Sequence, residues 1–560
     1  MPGELEMSSR SPAHQPRDGS ARGAALDAVG LALAVLLFAI LGLWQLHLPG
    51  LYQDEALDVA PAVRLLKGYA PWPYSLCPAT LGLPLMVCDH VGPTSTYLML
   101  PFLRVLGIGV MGVRAYEFAV GLAALVLIFL WARRALAPGT AWIAALLLAA
   151  MPSFWLACRN GLHVSFIVIP LAAAALICLD RWRRGGTSRW LYLASVLLGV
   201  GLSTKILFFW FLAALAAGML IAPRGLLRKL GRRQIAASIA CFVIGCGPFV
   251  AFIVLSRGLT IRTILTNLTH TTYGVKNADV LANLVTQFRS FAHLLDGSWL
   301  TWTGASLHSP AALPLFLVSA AYLAFNWRER GAGLLRFSLV AVAVMVFASC
   351  FTITTLGPKH LVILLPFTTV IVAAAIGRAW SQRQRRGSLV ALVLLVTLAA
   401  AQFTADIGND HRYLRSLSAT GGVGLFSSAH GDLCTYLVAN GIAQPLAGDW
   451  GFDSNIEVLS QGRVRVRQIF ELTEAPPYPF TRRQAREALR SPDSVFLFHD
   501  ESISATPGRF QAIVAIAKEM GLLLRLAATF RDGRGRPVAF VYRPSPAGPA
   551  GASPGPGAGT

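Results

Sequence analysis

Residues 27–58 read DAVGLALAVLLFAILGLWQLHLPGLYQDEALD, and this stretch decides the fold class. Its apolar run of about 20 residues is long enough to cross a hydrocarbon core of roughly 30 Å as a helix. The run is too long for a signal-peptide core and lacks a clear cleavage site, which favours a retained membrane anchor. Three acidic residues, Asp54, Glu55 and Asp58, follow it at once.

The rest of the chain continues this apolar pattern. Of its 560 residues 55% are apolar and 13% are charged, well below the quarter that is usual in soluble proteins. The apolar runs predict a polytopic α-helical membrane protein of about eleven transmembrane helices. The predicted spans are approximately residues 27–47, 115–132, 139–157, 163–180, 189–204, 206–222, 235–255, 310–326, 337–354, 360–378 and 388–405.

Charge in the short loops orients these spans. With the N-terminus in the cytoplasm, the loops on that side carry eighteen Lys and Arg residues, and the opposite short loops carry Arg159, Lys205 and Lys359. This asymmetry is typical of membrane proteins, so the net charge of +21 does not indicate nucleic-acid binding. Two long extracytoplasmic loops follow, 48–114 and 256–309, and the chain beyond residue 405 lies on the same side.

The composition divides the chain into four parts. Residues 1–25 are polar and predict a disordered cytoplasmic tail, and residues 544–560 are rich in Pro, Gly and Ala and also predict disorder. Residues 26–405 form the transmembrane domain. Residues 406–543 alternate short apolar strands with helical stretches, which predicts a small extracytoplasmic α/β domain. A turn at Asp532–Gly535 joins its last two predicted strands.

The acidic residues after the first span have two explanations. Asp54 opens a segment that can form a helix ending at Gly68, and acidic side chains in a first turn suit the helix dipole. Carboxylates beside a membrane are nevertheless costly unless they are solvated, paired or used. The same face carries a sparse set of basic residues, each of which taken alone is a snorkelling anchor rather than a ligand. They are Arg159, His163, Lys205, Lys359 and His360.

Together these groups suit the transfer of a sugar from a lipid-linked sugar phosphate. Cations hold the phosphate and stabilise the departing anion, and a carboxylate takes the proton of the attacking hydroxyl. We assign Asp54 as the base and Glu55 as its partner. The expected donor-phosphate ligands are Lys205, Arg159, Lys359 and His360, and the expected acceptor-binding or loop-shaping residues are Asp58 and His163.

Several short motifs occur in an order that matches a known family. They are Asp54-Glu55-Ala56, Gly92-Pro93, Tyr97–Pro101, Arg114, Ser203-Thr204-Lys205 and Lys359-His360-Leu361. In this order the chain, over roughly residues 30–405, resembles the C-type, polyprenyl-phosphate-sugar-dependent membrane glycosyltransferases. The resemblance is to the group related to protein O-mannosyltransferases and aminoarabinose transferases.

The resemblance implies an inverting transfer from a polyprenyl monophosphate sugar to a lipid, glycan or protein acceptor. It implies a site on the extracytoplasmic face of the cell membrane, the inner membrane of a bacterium. Some members of the wider fold use a divalent metal at such carboxylates. Mg²⁺ or Mn²⁺ bound by Asp54 and Glu55 is therefore an open expectation, and the sequence names no cofactor with certainty.

Other interpretations stay open beside this one. A transporter or flippase for a polyprenyl-linked substrate, or a catalytically inactive membrane scaffold, would share the topology. Cys77 and Cys88 share one loop, and a disulfide between them is open. Trp299 and Trp302 are typical of an aromatic belt at the membrane interface, with sugar stacking as the alternative. His499-Asp500-Glu501 indicates a solvated loop or a metal site.

Overall fold

The computed structural model describes residues 18–73, 82–160, 166–221, 230–268, 271, 275–302, 304–327, 333–352, 357–472 and 474–547. A bundle of apolar helices is followed by a small sheet covered by helices. His163 and Cys77 lie outside the described residues, so the roles expected of them stay predictions.

Seventeen helices are described in the N-terminal bundle. They are Asp18–Leu43, Gln53–Lys67, Thr94–Leu106, Val110–Ala135, Ala141–Ala150, Pro152–Arg159, Val168–Arg183, Ser188–Thr204, Phe209–Ile221, Arg232–Gly245, Gly247–Leu255, Leu259–Thr266, Val280–Asp296, Ala312–Phe325, Gly333–Ala348, Leu365–Ser381 and Arg386–Thr420. The helix predicted after the first span is present at Gln53–Lys67. It ends at Gly68, whose φ of 66° favours glycine.

Four of the described helices are long and apolar enough to cross a membrane, which makes this a membrane-type helical protein. They are Ala21–Leu43, Val110–Ala135, Val362–Ser381 and Arg386–Thr420. The number rises to six if each of two bent helix pairs counts as one span. The predicted span 139–157 corresponds to one such pair, bent by 66° where Pro152 begins a new helix. The predicted count of eleven is therefore not confirmed.

The last helix of the bundle carries the chain out to the C-terminal sheet. It runs without a break from Arg386 through residue 405 to Thr420, and Gly421 ends it with a φ of 67°. Five strands follow, which are β1 (Leu446–Ala447), β2 (Arg467–Gln468), β3 (Phe496–His499), β4 (Leu522–Arg531) and β5 (Pro537–Pro546).

The strand order is β2-β1-β3-β5-β4, with β1 parallel to β2 and β3, and β5 antiparallel to β3 and β4. Alternate residues face opposite sides, so that Leu497 and Val541 belong to one apolar cluster and Phe496 and Phe498 to another. Helices Ala429–Ala439 and Asp453–Leu459 cover the first side, and helices Pro479–Ala488 and Arg509–Glu519 cover the second. The expected small α/β fold is present.

A buried polar cluster holds the first segments of this fold together. His430 Nδ1 lies 3.0 Å from the Ser427 carbonyl oxygen, and His430 Nε2 lies 3.0 Å from His499 Nε2. His499 Nδ1 lies 3.0 Å from an Asp449 carboxylate oxygen, whose other oxygen accepts from the Thr506 hydroxyl at 2.7 Å. His499 is therefore buried, and the expectation of a solvated loop at this residue is wrong.

Hydrogen-bond accounting fixes the protons of this cluster. A carbonyl and a carboxylate only accept, so both Nδ1 atoms carry hydrogen. Burial and the neighbouring His499 lower the pKa of His430 to about 3, so His430 is neutral near pH 7. Burial alone would raise the pKa of Asp449, but its hydrogen bond with His499 holds that pKa below its usual value.

The neutral state of His430 predicts a pH-dependent stability. The unfolded chain binds a proton at this residue near pH 6.5, whereas the folded protein does so only near pH 3. The unfolded state binds more protons between these values, so stability should fall as the pH drops from about 6.5 towards 3. The measurement is the unfolding temperature of the detergent-solubilised protein across this range, followed by tryptophan fluorescence.

We expect His430→Asn to make this decline shallower, because asparagine can still donate to the Ser427 carbonyl but does not titrate. His411→Asn, at an exposed histidine, is the matched control and should keep the wild-type slope. Equal slopes for all three proteins would show that His430 does not contribute to acid sensitivity.

Candidate functional site

The acidic pair after the first helix is divided between two environments. Asp54 Oδ2 accepts a hydrogen bond from Lys359 Nζ at 2.8 Å, and both side chains remain partly exposed. Glu55 is buried, is ion-paired with Arg114 and accepts from the Tyr52 backbone N–H at 3.3 Å. Consecutive residues of a helix point about 100° apart, which separates the two carboxylates.

This divergence bears on the expected metal. The Asp54 carboxylate pairs with Lys359 and the Glu55 carboxylate with Arg114. The expected divalent cation at this pair stays a prediction.

Glu55 belongs to a buried charge network. Arg114 donates to Glu55, to Glu117 at 3.1 Å and to the Arg159 carbonyl oxygen at 2.9 Å. Burial raises the pKa of Glu55, and the Arg114 guanidinium opposes that effect. The network joins three helices beneath the exposed carboxylate of Asp54, and it is sealed from solvent.

Arg159 has a different position from the one expected of a phosphate ligand. Its guanidinium donates to the carbonyl oxygens of Gln45 at 2.6 Å, Leu48 at 2.7 Å and Leu41 at 3.3 Å. The residue is 1% exposed. It therefore caps the end of the first helix, and the structure does not bring it to Asp54.

The remaining basic residues do converge with the acidic ones. Lys205 Nζ lies 3.4 Å from His360 Nδ1, and it interacts electrostatically with Lys359, Asp58 and Asp54. Lys205 is 2% exposed and Asp58 is 3% exposed, whereas the Lys359 side chain is 27% exposed. These five residues, Asp54, Asp58, Lys205, Lys359 and His360, are called the charged cluster below. It is buried at one end and open at the other.

Two of the sequence motifs meet to place Lys205 in the charged cluster. Val91 and Lys205 form an antiparallel bridge, and the Gly92 N–H donates to the Thr204 carbonyl oxygen at 3.0 Å. A side chain at residue 92 would collide with the Ser203 carbonyl oxygen, which explains the glycine. The Gly92-Pro93 and Ser203–Lys205 motifs are therefore two sides of one structural unit.

The sequence analysis missed two features at this site. Tyr52 is buried, and its side chain interacts with the Asp54 carboxylate. Burial, with the charge of Asp54, raises the pKa of Tyr52 well above its usual range, so the hydroxyl stays a donor. Cys88, Asp89 and His90 also group their ligand atoms within 4.8 Å of one another. In the sequence, these three potential ligands are consecutive and end two residues before Gly92.

The matches to known proteins agree with this geometry. Residues 90–252 match the family described as dolichyl-phosphate-mannose-protein mannosyltransferase. This range includes the unit formed by Gly92-Pro93 and Ser203–Lys205, together with Arg114. A comparison with curated protein sequences gives no match.

Several solved structures share the fold. Apo ArnT from Cupriavidus metallidurans matches with a TM-score of 0.56 and 13% identity, covering 93% of this chain and 98% of that chain. The same protein bound to undecaprenyl phosphate gives 0.54 and 13%, covering 92% and 97%. The archaeal oligosaccharyltransferase AglB from Archaeoglobus fulgidus, with an inhibitory peptide and a dolichol-phosphate, gives 0.51 and 12%, covering 88% and 71%.

The resemblance expected from the sequence is thus confirmed. The chain has the fold seen in ArnT and AglB, and its residues 90–252 match the model of the mannosyltransferase family.

The buried network makes a prediction about stability. Arg114→Leu leaves two buried carboxylates without their cation, and breaking a buried pair in this way costs about 3–5 kcal/mol. We expect a loss of this size in the free energy of unfolding, measured by denaturant titration in detergent micelles. Arg104→Leu, at an exposed arginine, is the matched control and should change it little. Similar values for both variants would contradict a structural role for the network.

Proposed function

We propose that this protein is an inverting glycosyltransferase. It moves a sugar from a polyprenyl-phosphate donor to a hydroxyl group of a lipid, glycan or protein acceptor. The observation that carries the proposal is the placement of Asp54 against Lys359, Lys205 and His360 in a protein of this fold. Two proteins of similar structure were solved with undecaprenyl phosphate and with dolichol-phosphate, which supports a lipid phosphate as the donor's leaving group.

The basic end of the charged cluster suits the donor phosphate. Lys205 directly follows helix Ser188–Thr204, and Lys359 and His360 lie on the short 3-10 helix Pro358–Leu364. These basic residues meet beside the same carboxylates. A phosphate brought among them makes charge-assisted hydrogen bonds that grow stronger as the leaving group gains charge. Lys359 lies at the exposed side, so it can meet the phosphate first, and Lys205 can hold it from below.

Asp54 takes the role of the base. Its carboxylate is partly exposed and accepts a hydrogen bond from Lys359 at 2.8 Å, so it can face an incoming acceptor hydroxyl. The acceptor oxygen attacks the anomeric carbon and gives its proton to Asp54 as the new C–O bond forms. The bond from the anomeric carbon to the phosphate oxygen breaks, and the polyprenyl phosphate leaves with that electron pair. One displacement inverts the anomeric configuration.

The same proposal includes the topology. Eleven spans with a cytoplasmic N-terminus place residues 48–114, 256–309 and 406–543 outside the cytoplasm, in a bacterial inner membrane. The charge asymmetry of the short loops supports this orientation. The charged cluster then lies at the extracytoplasmic ends of the helices, where a lipid-linked sugar and a soluble acceptor can meet.

Asp54→Asn tests the base. We expect transfer to fall about 10²–10⁴-fold, because the amide cannot take the proton of the acceptor. The measurement is product formation by purified protein from a panel of polyprenyl-phosphate sugars with lipid, glycan and peptide acceptors. Asp432→Asn, on the exposed surface of the C-terminal fold, is the matched control and should retain wild-type activity. Full activity of a correctly folded Asp54→Asn protein would refute the assignment.

Lys205→Met and Lys359→Met test the phosphate site. Each change removes one charged hydrogen-bond donor, which is worth about 1.5–3 kcal/mol, or roughly tenfold to 100-fold in affinity. We expect weaker binding of undecaprenyl phosphate, the probe for the leaving group, in a direct titration of detergent-solubilised protein. Lys518→Met, at an exposed lysine, is the control. Unchanged affinity in both site variants would place the donor phosphate elsewhere.

A further inference from the structure

An aromatic stack joins three distant parts of the chain beside the charged cluster. The Phe426 ring lies between Tyr52 and Trp302, with ring centroids 4.1 Å apart and planes at 12° on one side, and 4.7 Å and 23° on the other. The Val423 N–H donates to the Trp302 carbonyl oxygen at 2.6 Å, which fixes the segment that presents Phe426. Trp302 is therefore buried in the stack, not placed in an aromatic belt.

The stack restrains the Tyr52 ring. Phe426 covers one face of the Tyr52 ring, and Trp450 approaches it edge-on at 5.8 Å. Both residues follow the long helix that ends at Thr420, so they belong to the C-terminal fold. The Lys359 ammonium lies 5.8 Å from the centroid of the restrained ring and 2.8 Å from the Asp54 carboxylate, so Tyr52, Lys359 and Asp54 are neighbours.

The C-terminal fold also holds the helix that carries Asp54. Gln53 accepts from the Ser454 N–H at 3.1 Å and donates to Asp453, at the first turn of helix Asp453–Leu459. Further along, Arg64 Nε and Nη2 donate to the two Glu457 carboxylate oxygens at 2.6 and 2.8 Å. A bidentate pair of this kind fixes orientation as well as distance. The two helices are thus joined near both ends.

We propose that the C-terminal fold is a positioning element of the transfer site, with Phe426 as the positioning residue that acts on Asp54 through Tyr52. This inference rests on the proposed function, since it assigns Asp54 the role of base. The stack restrains the ring of Tyr52, and this ring packs beside the Lys359 ammonium that binds the Asp54 carboxylate.

The experiment compares four proteins. Phe426→Ala removes the stacked ring, Phe426→Tyr keeps it, and Phe510→Ala removes a ring from the far side of the sheet, where Phe510 contacts Phe498 at 5.0 Å. The fourth protein is the wild type. A catalytic group misplaced by about 1 Å can cost 10²-fold in rate. We therefore expect Phe426→Ala to lower kcat about tenfold to 100-fold with the KM for donor little changed, and Phe426→Tyr to restore kcat.

Two further measurements separate positioning from general destabilisation. Hydrogen exchange of the peptide covering residues 52–67 should speed up in Phe426→Ala and not in Phe510→Ala. In a double-mutant cycle, Phe426→Ala should lose little more kcat once Tyr52→Phe has removed the hydroxyl, because the two changes act through one contact. Equal kcat losses in Phe426→Ala and Phe510→Ala, additive losses with Tyr52→Phe, or unchanged exchange at residues 52–67 would each overturn the inference.

The exchange measurement does not depend on turnover. A wild-type protein that transfers no sugar from any polyprenyl-phosphate donor would refute the proposed function and, with it, the catalytic part of the inference. Faster exchange confined to Phe426→Ala would still establish that the C-terminal fold orders the residues around Asp54, so the two failures remain distinct.

Discussion

The guanidinium of Arg114 is the group on which the rest of the site depends. A charge buried in an apolar bundle is tolerated only when it is paired, and Arg114 is paired with Glu55 and Glu117. The same group holds the Arg159 carbonyl oxygen, and the Arg159 side chain holds the turn after the first helix. Because Glu55 is fixed in this network, its neighbour Asp54, about 100° around the helix, faces Lys359 instead.

This arrangement separates two kinds of charge near the start of the Gln53–Lys67 helix. The network of Arg114, Glu55 and Glu117 is sealed from solvent, and each charge has a partner within the protein. The charged cluster around Asp54 is graded from buried Lys205 to partly exposed Lys359. A buried network whose charges are already paired with one another does not bind an added anion. Basic groups that are open to solvent at one end can bind a phosphate.

The sequence predicted correctly those residues whose position follows from the level at which their helices end. Loop charge and span length placed Lys205, Lys359 and His360 at the level of Asp54, and the structure brings them together. The level of a residue along the bundle does not determine which way its side chain points, however. Arg159 lies at the same level, but it points at main-chain carbonyl oxygens. Glu55 is one residue from Asp54, and the turn of the helix sends it into the bundle.

The fold shows the same division between local and distant information. Local patterns found the Gln53–Lys67 helix with its glycine end, and the turn between the last two strands. Patterns in a linear window could not reveal that Pro152 bends a span, or that His499 meets His430 and Asp449 across the sheet. The contacts of His499 join residues that lie dozens of positions apart, so no periodicity of the sequence records them.

The boundary between membrane bundle and C-terminal fold is therefore not a boundary of the site. Tyr52, Trp302 and Phe426 come from three regions of the chain, and their rings are in contact beside Asp54. Lys359, the partner of Asp54, also lies in the second half of the chain. Loop closure over these separations costs entropy that the contacts among these side chains must recover. The acidic residues that follow the first helix begin the site, and the last quarter of the chain completes it.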